Sequence, residues 1–544
     1  MTTLEPPASP APGAPEWLES TLRITPGRDP IGLTTITTDR IIPRLVPGIL
    51  ALSRRARYFS FFSFLIDDYR RRQLPASNSG LSAFIKRREY ELALAVELCP
   101  VGHQNESVAS NGRERARPAV NRGLAAFPRN ESVESYLGGY GLYYRGPMID
   151  LGLVAPRGTA IGDEGQATPI DVLWPTETRA SSLASSFRTA IEGTEYFDRY
   201  YASDRDIPRE VLVEYAKVAC LCRLSDFPAE RTTLADFLLR PSQSEPEHDV
   251  VRRREAFAFL VWLAERDERV GRSDAAFRNQ VWQSYETGAP GGSQALRSSS
   301  ARWAALMAKE FMQEGISSIW ARLCAAGLAA NGTAGIAADE LDRLLIEPLV
   351  GPSTLSPAGS PIEINADSRA RELRSSILAA TRDMPLESVR DWAVRDGTAI
   401  AGLALMLAVD ARVEAVGEPP AGWSEIAAQD AERQPGLAHL RLRLAAHLGT
   451  DPTIRQTMAW VARTLIIWPH ELIAYSKLPE STFRFRWESG RLRFYDLRPE
   501  RFGLTDNRRD SLTRLGADVG LLAWTPTGAV PTSAGRTLVA EVFE

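Results

Sequence analysis

The stretch that most limits how this chain can fold is SRRARYFSFFSFLIDDYRRR, residues 53–72. Its apolar positions recur at i, i+3, i+4, i+7 and i+11, the period of an α-helix, and they are Tyr58, Phe61, Phe62, Leu65 and Tyr69. Other apolar residues fill much of the opposite face, which is typical of a buried helix. We therefore predict a central core helix here. The alternative is an exposed aromatic platform on which nucleic-acid bases stack.

A membrane span is excluded for this stretch by its length. The apolar run over residues 58–66 is far shorter than the roughly 18 to 20 residues needed to cross a bilayer, and no other run comes close. We therefore expect no membrane contact. The beginning of the chain has neither the basic nor the apolar region of a secretory signal, and its composition predicts a disordered Pro-rich leader over residues 1–30.

Composition places the chain among ordinary globular proteins. Its 544 residues predict two to four domains, and the 44% apolar and 24% charged fractions allow several cores. The net charge is −4, so no global basic excess indicates nucleic acid, and any such site must be local. The four cysteines suit a reducing compartment, which favours a cytoplasmic location.

Residue patterns that would indicate chemistry are absent from the sequence. Cys220-Leu221-Cys222 has the wrong spacing for a zinc knuckle, and we predict that the cysteines are small buried hydrophobic residues. The five histidines form no metal-ligand pair, and no phosphate-binding loop or nucleophile elbow is present. We therefore assign no catalytic residue, no cofactor and no metal, which favours a non-enzymatic role and leaves the question of an enzyme undecided.

Helical periodicity dominates until late in the chain, so the predicted fold class is mainly α. We expect a multi-domain helical protein with one or two winged-helix (α+β) modules, the C-terminal one preceded by a β-hairpin. The predicted segments are a leader (1–30), a helical region (31–125), a winged-helix-like module (130–192), a helical domain (195–350), a linker (351–367), a second helical domain (368–470) and a C-terminal hairpin with a second winged-helix-like module (471–544).

The modules rest on a signature that occurs twice, in residues 148–187 and 516–543. Each copy contains Asp, an aliphatic residue, Gly, Leu and another aliphatic residue, followed by Pro-Thr and a Phe twelve residues after the proline. This order fits a helix that ends at a glycine, two strands around a wing, and a closing helix capped by the threonine hydroxyl. In this respect both segments resemble winged-helix domains.

The hairpin before the second copy is predicted from TFRFRWESGRLRFYDL, in which aromatic residues alternate with charged ones around a Ser-Gly turn. Alternation places several arginines on one face, which predicts either a solvated face of a half-buried sheet or a face that contacts phosphates. With two arginines of the following helix, the candidate nucleic-acid-binding residues are Arg484, Arg486, Arg491, Arg493, Arg509 and Arg514. The wing of this module has no basic residue, which argues against strong DNA binding.

Residues 40–69 carry a family resemblance. A Pro-Gly turn there precedes an aromatic helix that begins Arg-x-Arg-Tyr-Phe, and the matching positions are Pro47, Gly48, Arg55, Arg57, Tyr58 and Phe59. This stretch resembles the N-terminal signature of uncharacterised bacterial proteins encoded in phage-defence gene clusters, beside helicases or other ATPases. The resemblance implies a multi-protein defence system that acts on nucleic acid, and it implies no catalytic residue.

Together these observations predict a non-enzymatic DNA-binding or scaffolding subunit of a multi-protein bacterial antiphage defence system. Its expected partners are other defence-system proteins, an ATPase or helicase among them, and duplex DNA is a further candidate. The alternative is a kleisin-like structural partner of an SMC-type ATPase, because such proteins also carry winged helices near both ends. A third class is a diverged nuclease or other enzyme, which acidic residues clustered with a lysine would favour.

Overall fold

The computed structural model describes residues 29–101, 110–161, 165–241, 246–289, 292–331, 334–351, 353–359, 361–430, 435–478, 482–495 and 501–544. The predicted leader lies outside these residues except for its last two positions. Among the described helices, none combines the length with the hydropathy that crossing a bilayer would require.

Helices make up most of the described chain, which confirms the predicted mainly helical class. They are α1 (Leu33–Ile36), α2 (Ile42–Leu45), α3 (Arg57–Arg71), α4 (Asn78–Glu97), α5 (Arg113–Asn121), α6 (Arg145–Asp150), α7 (Thr178–Ile191), α8 (Arg209–Ala219), α9 (Pro228–Leu239), α10 (Glu247–Arg266), α11 (Asp274–Glu286), α12 (Gln294–Asn331), α13 (Ala370–Thr381), α14 (Leu386–Asp396), α15 (Ala399–Val416), α16 (Gly422–Ala427), α17 (Leu437–Leu448), α18 (Ile454–Val461), α19 (Trp468–Ser476), α20 (Arg509–Asp518) and α21 (Ser533–Phe543).

The strands are short and form small antiparallel sheets. They are β1 (Ala126–Phe127), β2 (Val154–Ala155), β3 (Ala160–Ile161), β4 (Gln166–Ala167), β5 (Val172–Leu173), β6 (Ile207–Pro208), β7 (Ile336–Ala337), β8 (Ser353–Leu355), β9 (Ile362–Ile364), β10 (Phe485–Glu488), β11 (Arg491–Phe494), β12 (Leu522–Trp524) and β13 (Ala529–Pro531). The pairs are β1 with β6, β2 with β5, β3 with β4, β8 with β9 and β12 with β13, and one sheet has three strands in the order β10-β11-β7.

The chain forms two compact units, and each is discontinuous in sequence. Unit 1 comprises Met1–Ile42 and Arg278–Thr505, and unit 2 comprises Pro43–Phe277 and Asp506–Glu544. The seven predicted segments are all contiguous, so they do not describe this division. The predicted linker at 351–367 contains the β8–β9 hairpin and belongs to unit 1. Local composition marks turns, but it does not show which distant segments share a core.

Unit 1 is built around two long helices that cross at glycines. A Cβ atom on Gly315 of α12 would lie 2.6 Å from the carbonyl oxygen of Gly402, and one on Gly402 of α15 would lie 2.6 Å from that of Gly315. Only the hydrogen side chain allows two helix backbones to approach so closely. Fifteen consecutive residues of α15, Ala399 to Val413, are buried, so this helix lies at the centre of the unit.

Unit 2 has the aromatic helix α3 in its core, which confirms the predicted core helix. Phe61 and Phe62 are buried, and their rings lie 5.4 Å from Phe187 of α7 and 5.3 Å from Tyr140, between ring centroids. The hydroxyl of Tyr58 accepts a hydrogen bond from a backbone N–H at 2.7 Å. No face of this helix is left for stacking bases.

Arg55 and Arg57 lie at the N-terminus of α3, where positive charges oppose the helix dipole, and the structure shows which contacts they make there. The side chain of Arg57 is 0% exposed and that of its partner Glu230 is 1% exposed, and Nη2 of the guanidinium lies 3.1 Å from Oε2 of the carboxylate. Arg57 also donates to the carbonyl oxygen of Cys220 at 2.8 Å. Arg55 forms a second buried pair, with its Nη2 2.9 Å from Oδ1 of Asp518. Both arginines therefore join α3 to distant segments of unit 2.

Candidate nucleic-acid interface

The predicted hairpin is present in unit 1 with the predicted turn and alternation. Phe485 pairs with Phe494 and Glu488 with Arg491, so Ser489 and Gly490 form a two-residue loop. Both loop residues have positive φ, 49° and 76°, as expected for a type I′ turn. Phe485 and Phe494 are buried on one side, where Trp487 is half-buried, and the arginines lie on the other.

Two features of the surrounding structure hold this hairpin, and neither was predicted. The strand β7 pairs with the outer side of β11, with Leu492 opposite Ile336. The ring of Phe494 packs against Gly327 of α12 so closely that a Cβ there would lie 2.3 Å from it. Both contacts come from more than 150 residues earlier in the chain, and two-residue strands such as β7 leave no recognisable alternation in the sequence.

Residues of alternate positions form the polar side of the hairpin, which we call the arginine face. It consists of Arg484, Arg486, Glu488, Arg491, Arg493 and Tyr495. Arg486 and Arg493 are directly opposite one another, and both pair with Glu488, the latter at 3.3 Å. The hydroxyl of Tyr495 donates to the same carboxylate at 2.6 Å. Glu488 thus offsets the repulsion between two neighbouring guanidinium groups.

The edge of the arginine face is more open. The side chain of Arg491 is 41% exposed, donates to the carbonyl oxygen of Gly335 at 3.1 Å and lies 3.8 Å from Glu340. Glu488 is the carboxylate on the face itself, and Glu340 lies beside Arg491 at its edge. Burial lowers the pKa of Arg486, but Tyr495 and Glu488 outweigh that effect, so its pKa is raised and it stays charged.

The other two predicted contacts, Arg509 and Arg514, belong to unit 2. Arg509 is 6% exposed, and its guanidinium donates to Asp274 and to the carbonyl oxygen of Gly271, both at 2.7 Å. Arg514 pairs with Asp510 one turn away at 3.0 Å. A phosphate has no access to a buried, fully engaged guanidinium, so we leave Arg509 out of the proposed surface.

The C-terminal signature folds as helix α20, the hairpin β12–β13 and helix α21. Gly520 ends α20 with a φ of 89°, and the hydroxyl of Thr532 accepts the N–H of Gly535 at the start of α21, as predicted. In the first copy the order of elements is also found, but the cap of α7 is Glu177 and not the predicted threonine. Most of α20 is buried against other parts of unit 2.

A lysine and an acidic residue do cluster in unit 1. Lys309 is fully buried, and its ammonium group donates to Thr37 Oγ1 and Gln313 Oε1, each at 2.6 Å, and lies 3.2 Å from Glu310. Burial lowers its pKa. The carboxylate of Glu310 also accepts the N–H of Thr505 at 2.6 Å. The cluster joins three segments of unit 1 and is enclosed, which fits a structural role better than contact with a substrate.

Three of the four cysteines converge in unit 2, which the sequence did not reveal. The Sγ atoms of Cys99, Cys220 and Cys222 all lie within 4.8 Å of one another. The hydrogen bond with Cys220 lowers the pKa of Cys222, but Cys99 and burial raise it to about 11. Cys99 is 121 residues before Cys220, so no spacing rule could have found the group.

Comparison of the chain with family models, with curated proteins and with solved structures finds no match.

Proposed function

We propose that this chain is a non-enzymatic DNA-binding or scaffolding subunit of a multi-protein bacterial antiphage defence system. The observation that carries the proposal is the arginine face of the β10–β11 hairpin. It places four arginines on the polar side of the β10–β11 hairpin, in a chain whose net charge is −4. Phosphate contacts by arginine supply most of the affinity of proteins that bind DNA without reading its sequence.

The defence context rests on the resemblance of residues 40–69, and the modules are part of the same proposal. We interpret α20, β12, β13 and α21 as a winged-helix-like module that serves as a support. Its helix α20 is occupied by contacts within unit 2, so it is not free to enter a DNA groove. Direct contact with DNA is therefore assigned to the hairpin and not to this module.

The proposal is tested by titrating the purified full chain with fluorescent duplex DNA at several salt concentrations. Binding through the arginine face makes the logarithm of the affinity fall linearly with the logarithm of the salt concentration, with a slope near −0.9 for each neutralised phosphate. Replacing Arg484, Arg486, Arg491 and Arg493 with glutamine should flatten that slope by about 3 to 4 units. The melting temperature should change little, since partly exposed ion pairs contribute little to stability.

A matched control replaces four other arginines of unit 1 whose side chains are 47 to 67% exposed: Arg343, Arg369, Arg371 and Arg463. These substitutions remove the same charge and should leave the slope close to that of the wild type. An equal loss in both variants would show that only net charge matters. An unchanged slope in the hairpin variant would assign the arginine face to solvent or to a protein partner.

The second candidate function is that of a kleisin-like structural partner of an SMC-type ATPase, and exposed apolar residues on α19 favour it. Trp468 and Tyr475 are seven residues apart, hence on one side of the helix, and are 62% and 53% exposed, with Leu478 beyond them at 50%. Exposed aromatic residues of this kind are enriched in protein interfaces. Replacing Trp468 and Tyr475 with serine should abolish copurification with a co-expressed partner ATPase, while DNA binding is kept.

A further inference from the structure

Three thiols from two separate segments of unit 2 lie close together. Cys99 follows α4, and Cys220 and Cys222 flank Leu221 where α8 ends and a short 3₁₀ turn begins. The Sγ atom of Cys222 lies 3.8 Å from that of Cys99 and 3.4 Å from that of Cys220. A disulfide requires a separation of about 2.05 Å, so the group is a set of thiols.

These separations match those between thiolates that share a metal ion. Zinc–sulfur bonds of about 2.3 Å in tetrahedral geometry place two sulfurs roughly 3.8 Å apart. Three sulfur ligands select soft or borderline ions such as Zn²⁺ over the hard ions Mg²⁺ and Ca²⁺. Cysteines that serve only as small buried hydrophobic residues have no reason to bring their sulfurs together from separate segments.

The group is closed on one side and open on the other. Cys99 and Cys220 are buried, whereas Cys222 is half-buried and lines a cavity of about 340 Å³ within unit 2. Arg55, Ser225 and Asp518 are among the other residues that line it. A metal ion held by three thiolates would therefore keep a fourth position that a water molecule or a small ligand can reach from the cavity.

The backbone that carries two of the cysteines is held rigidly. Arg57 donates to the carbonyl oxygen of Cys220 at 2.8 Å, and Arg55 donates to that of Leu221 at 3.0 Å. Such supporting hydrogen bonds fix the orientation of ligands around a metal.

We propose that Cys99, Cys220 and Cys222 bind one thiophilic metal ion of the Zn²⁺ class through three thiolates, with an open fourth position facing the cavity. The site goes beyond the proposed function and requires no DNA or protein partner. When bound, the ion would join α4 to the turn after α8.

Cobalt titration of the full chain tests the site. The protein is stripped of metal by a chelator under reducing conditions, and Co²⁺ is added while thiolate-to-cobalt charge-transfer absorption is recorded. We expect one Co²⁺ per chain, displaced by Zn²⁺. The absorption should disappear in Cys99→Ala and Cys222→Ala and persist in Cys324→Ala, the matched control, because Cys324 belongs to unit 1. No absorption in the wild type, or its persistence in Cys222→Ala, would overturn the proposal.

A second measurement needs no variant and covers the case in which a substitution prevents folding. Wild-type protein is treated with an alkylating reagent with and without Zn²⁺, and the modified cysteines are identified by mass spectrometry. A metal-bound thiolate is shielded from the reagent, so Zn²⁺ should slow the modification of Cys222 about tenfold or more. An unchanged rate at Cys222 would refute the site.

Discussion

At the scale of single residues, unit 2 depends on charges placed where water cannot reach them. Arg57 and Glu230 are both buried, and the rings of Phe227 and Phe187 lie 4.6 and 5.4 Å from the guanidinium carbon. Removing a charge from water costs several kcal/mol, which is offset only when the partner and the hydrogen bonds are all present. Such a pair adds little net stability. It does lower the free energy of the native position of α3 relative to displaced positions in which the pair is broken.

This view predicts an asymmetric response to mutation. Arg57→Met leaves Glu230 buried without its partner and should lower the free energy of unfolding by about 3 to 5 kcal/mol. The double variant Arg57→Met/Glu230→Met should recover most of that loss, because the pocket is then apolar. Urea denaturation followed by circular dichroism measures both.

The matched control is Arg71→Met on the same helix. Arg71 pairs with Asp67 but is 60% exposed, so its loss should cost less than about 1 kcal/mol. A similar small cost for Arg57→Met would contradict the importance of the buried pair.

At the scale of elements, His470 joins α19 to the start of the hairpin. Its Nε2 accepts the N–H of Arg484 at 2.9 Å, and its Nδ1 donates to the carbonyl oxygen of Pro30 at 2.8 Å, so the ring is neutral. Burial lowers the pKa of His470 to about 3. In the unfolded chain the group has a pKa of about 6.5.

The contribution of His470 to the free energy of unfolding should therefore fall in acid. Between about pH 6.5 and 3 the unfolded state binds a proton that the folded state does not, so stability falls as the pH falls. The loss attributable to His470 should reach about 2 kcal/mol at pH 5. His470→Gln removes this term, and the stability gap between wild type and variant should narrow by that amount from pH 7 to pH 5.

Equilibrium unfolding at the two pH values checks this, with His439→Gln as the control, because His439 is exposed on α17. The control should keep the pH dependence of the wild type. A constant gap between wild type and His470→Gln would show that the ring is protonated in the folded protein.

Elements were predicted from the sequence where a short-range pattern encodes them. The period of the apolar residues gave α3, alternation and Ser489-Gly490 gave the hairpin, and Thr532 marked the start of α21. Contacts between residues that are distant in sequence could not be predicted. Examples are the pairs Arg57–Glu230 and Arg509–Asp274. A charged residue has the same appearance in a sequence whether it faces water or a buried counter-ion. The arginine face was predictable because strand alternation is a local pattern. Its partner Glu340 was not predictable because it lies about 150 residues away in the sequence.

At the scale of the whole molecule, residues 506–544 belong to unit 2. Asp518 accepts the N–H of Ala56 at 2.9 Å as well as pairing with Arg55, and Arg231 donates to its backbone oxygen at 3.0 Å. The β12–β13 hairpin contributes a further contact, in which the hydroxyl of Thr525 donates to the carboxylate of Glu268 at 3.0 Å. Two of these partners, Arg55 and Ala56, lie more than 450 residues before Asp518, so segments far apart in sequence share the core of unit 2.

We predict that a chain ending at residue 505 loses the stability of unit 2, since Arg55 is then buried without its carboxylate. Limited proteolysis should cleave within residues 43–277 far faster than in the full chain. Supplying residues 506–544 as a separate polypeptide should restore protection. Unchanged protection after truncation would indicate that the C-terminal segment folds as an independent domain.

Because unit 2 is discontinuous in sequence, its two segments are synthesised at different times. Residues 43–277 leave the ribosome early, but the segment that completes their unit begins at Asp506. At about 5 to 20 residues per second, the remaining 267 residues of the 544-residue chain take roughly 13 to 53 s to make. Throughout that interval the nascent unit exposes the apolar surface reserved for α20 and α21 and holds Arg55 without Asp518. We therefore expect chaperones that shield this exposed apolar surface to raise the yield of folded protein.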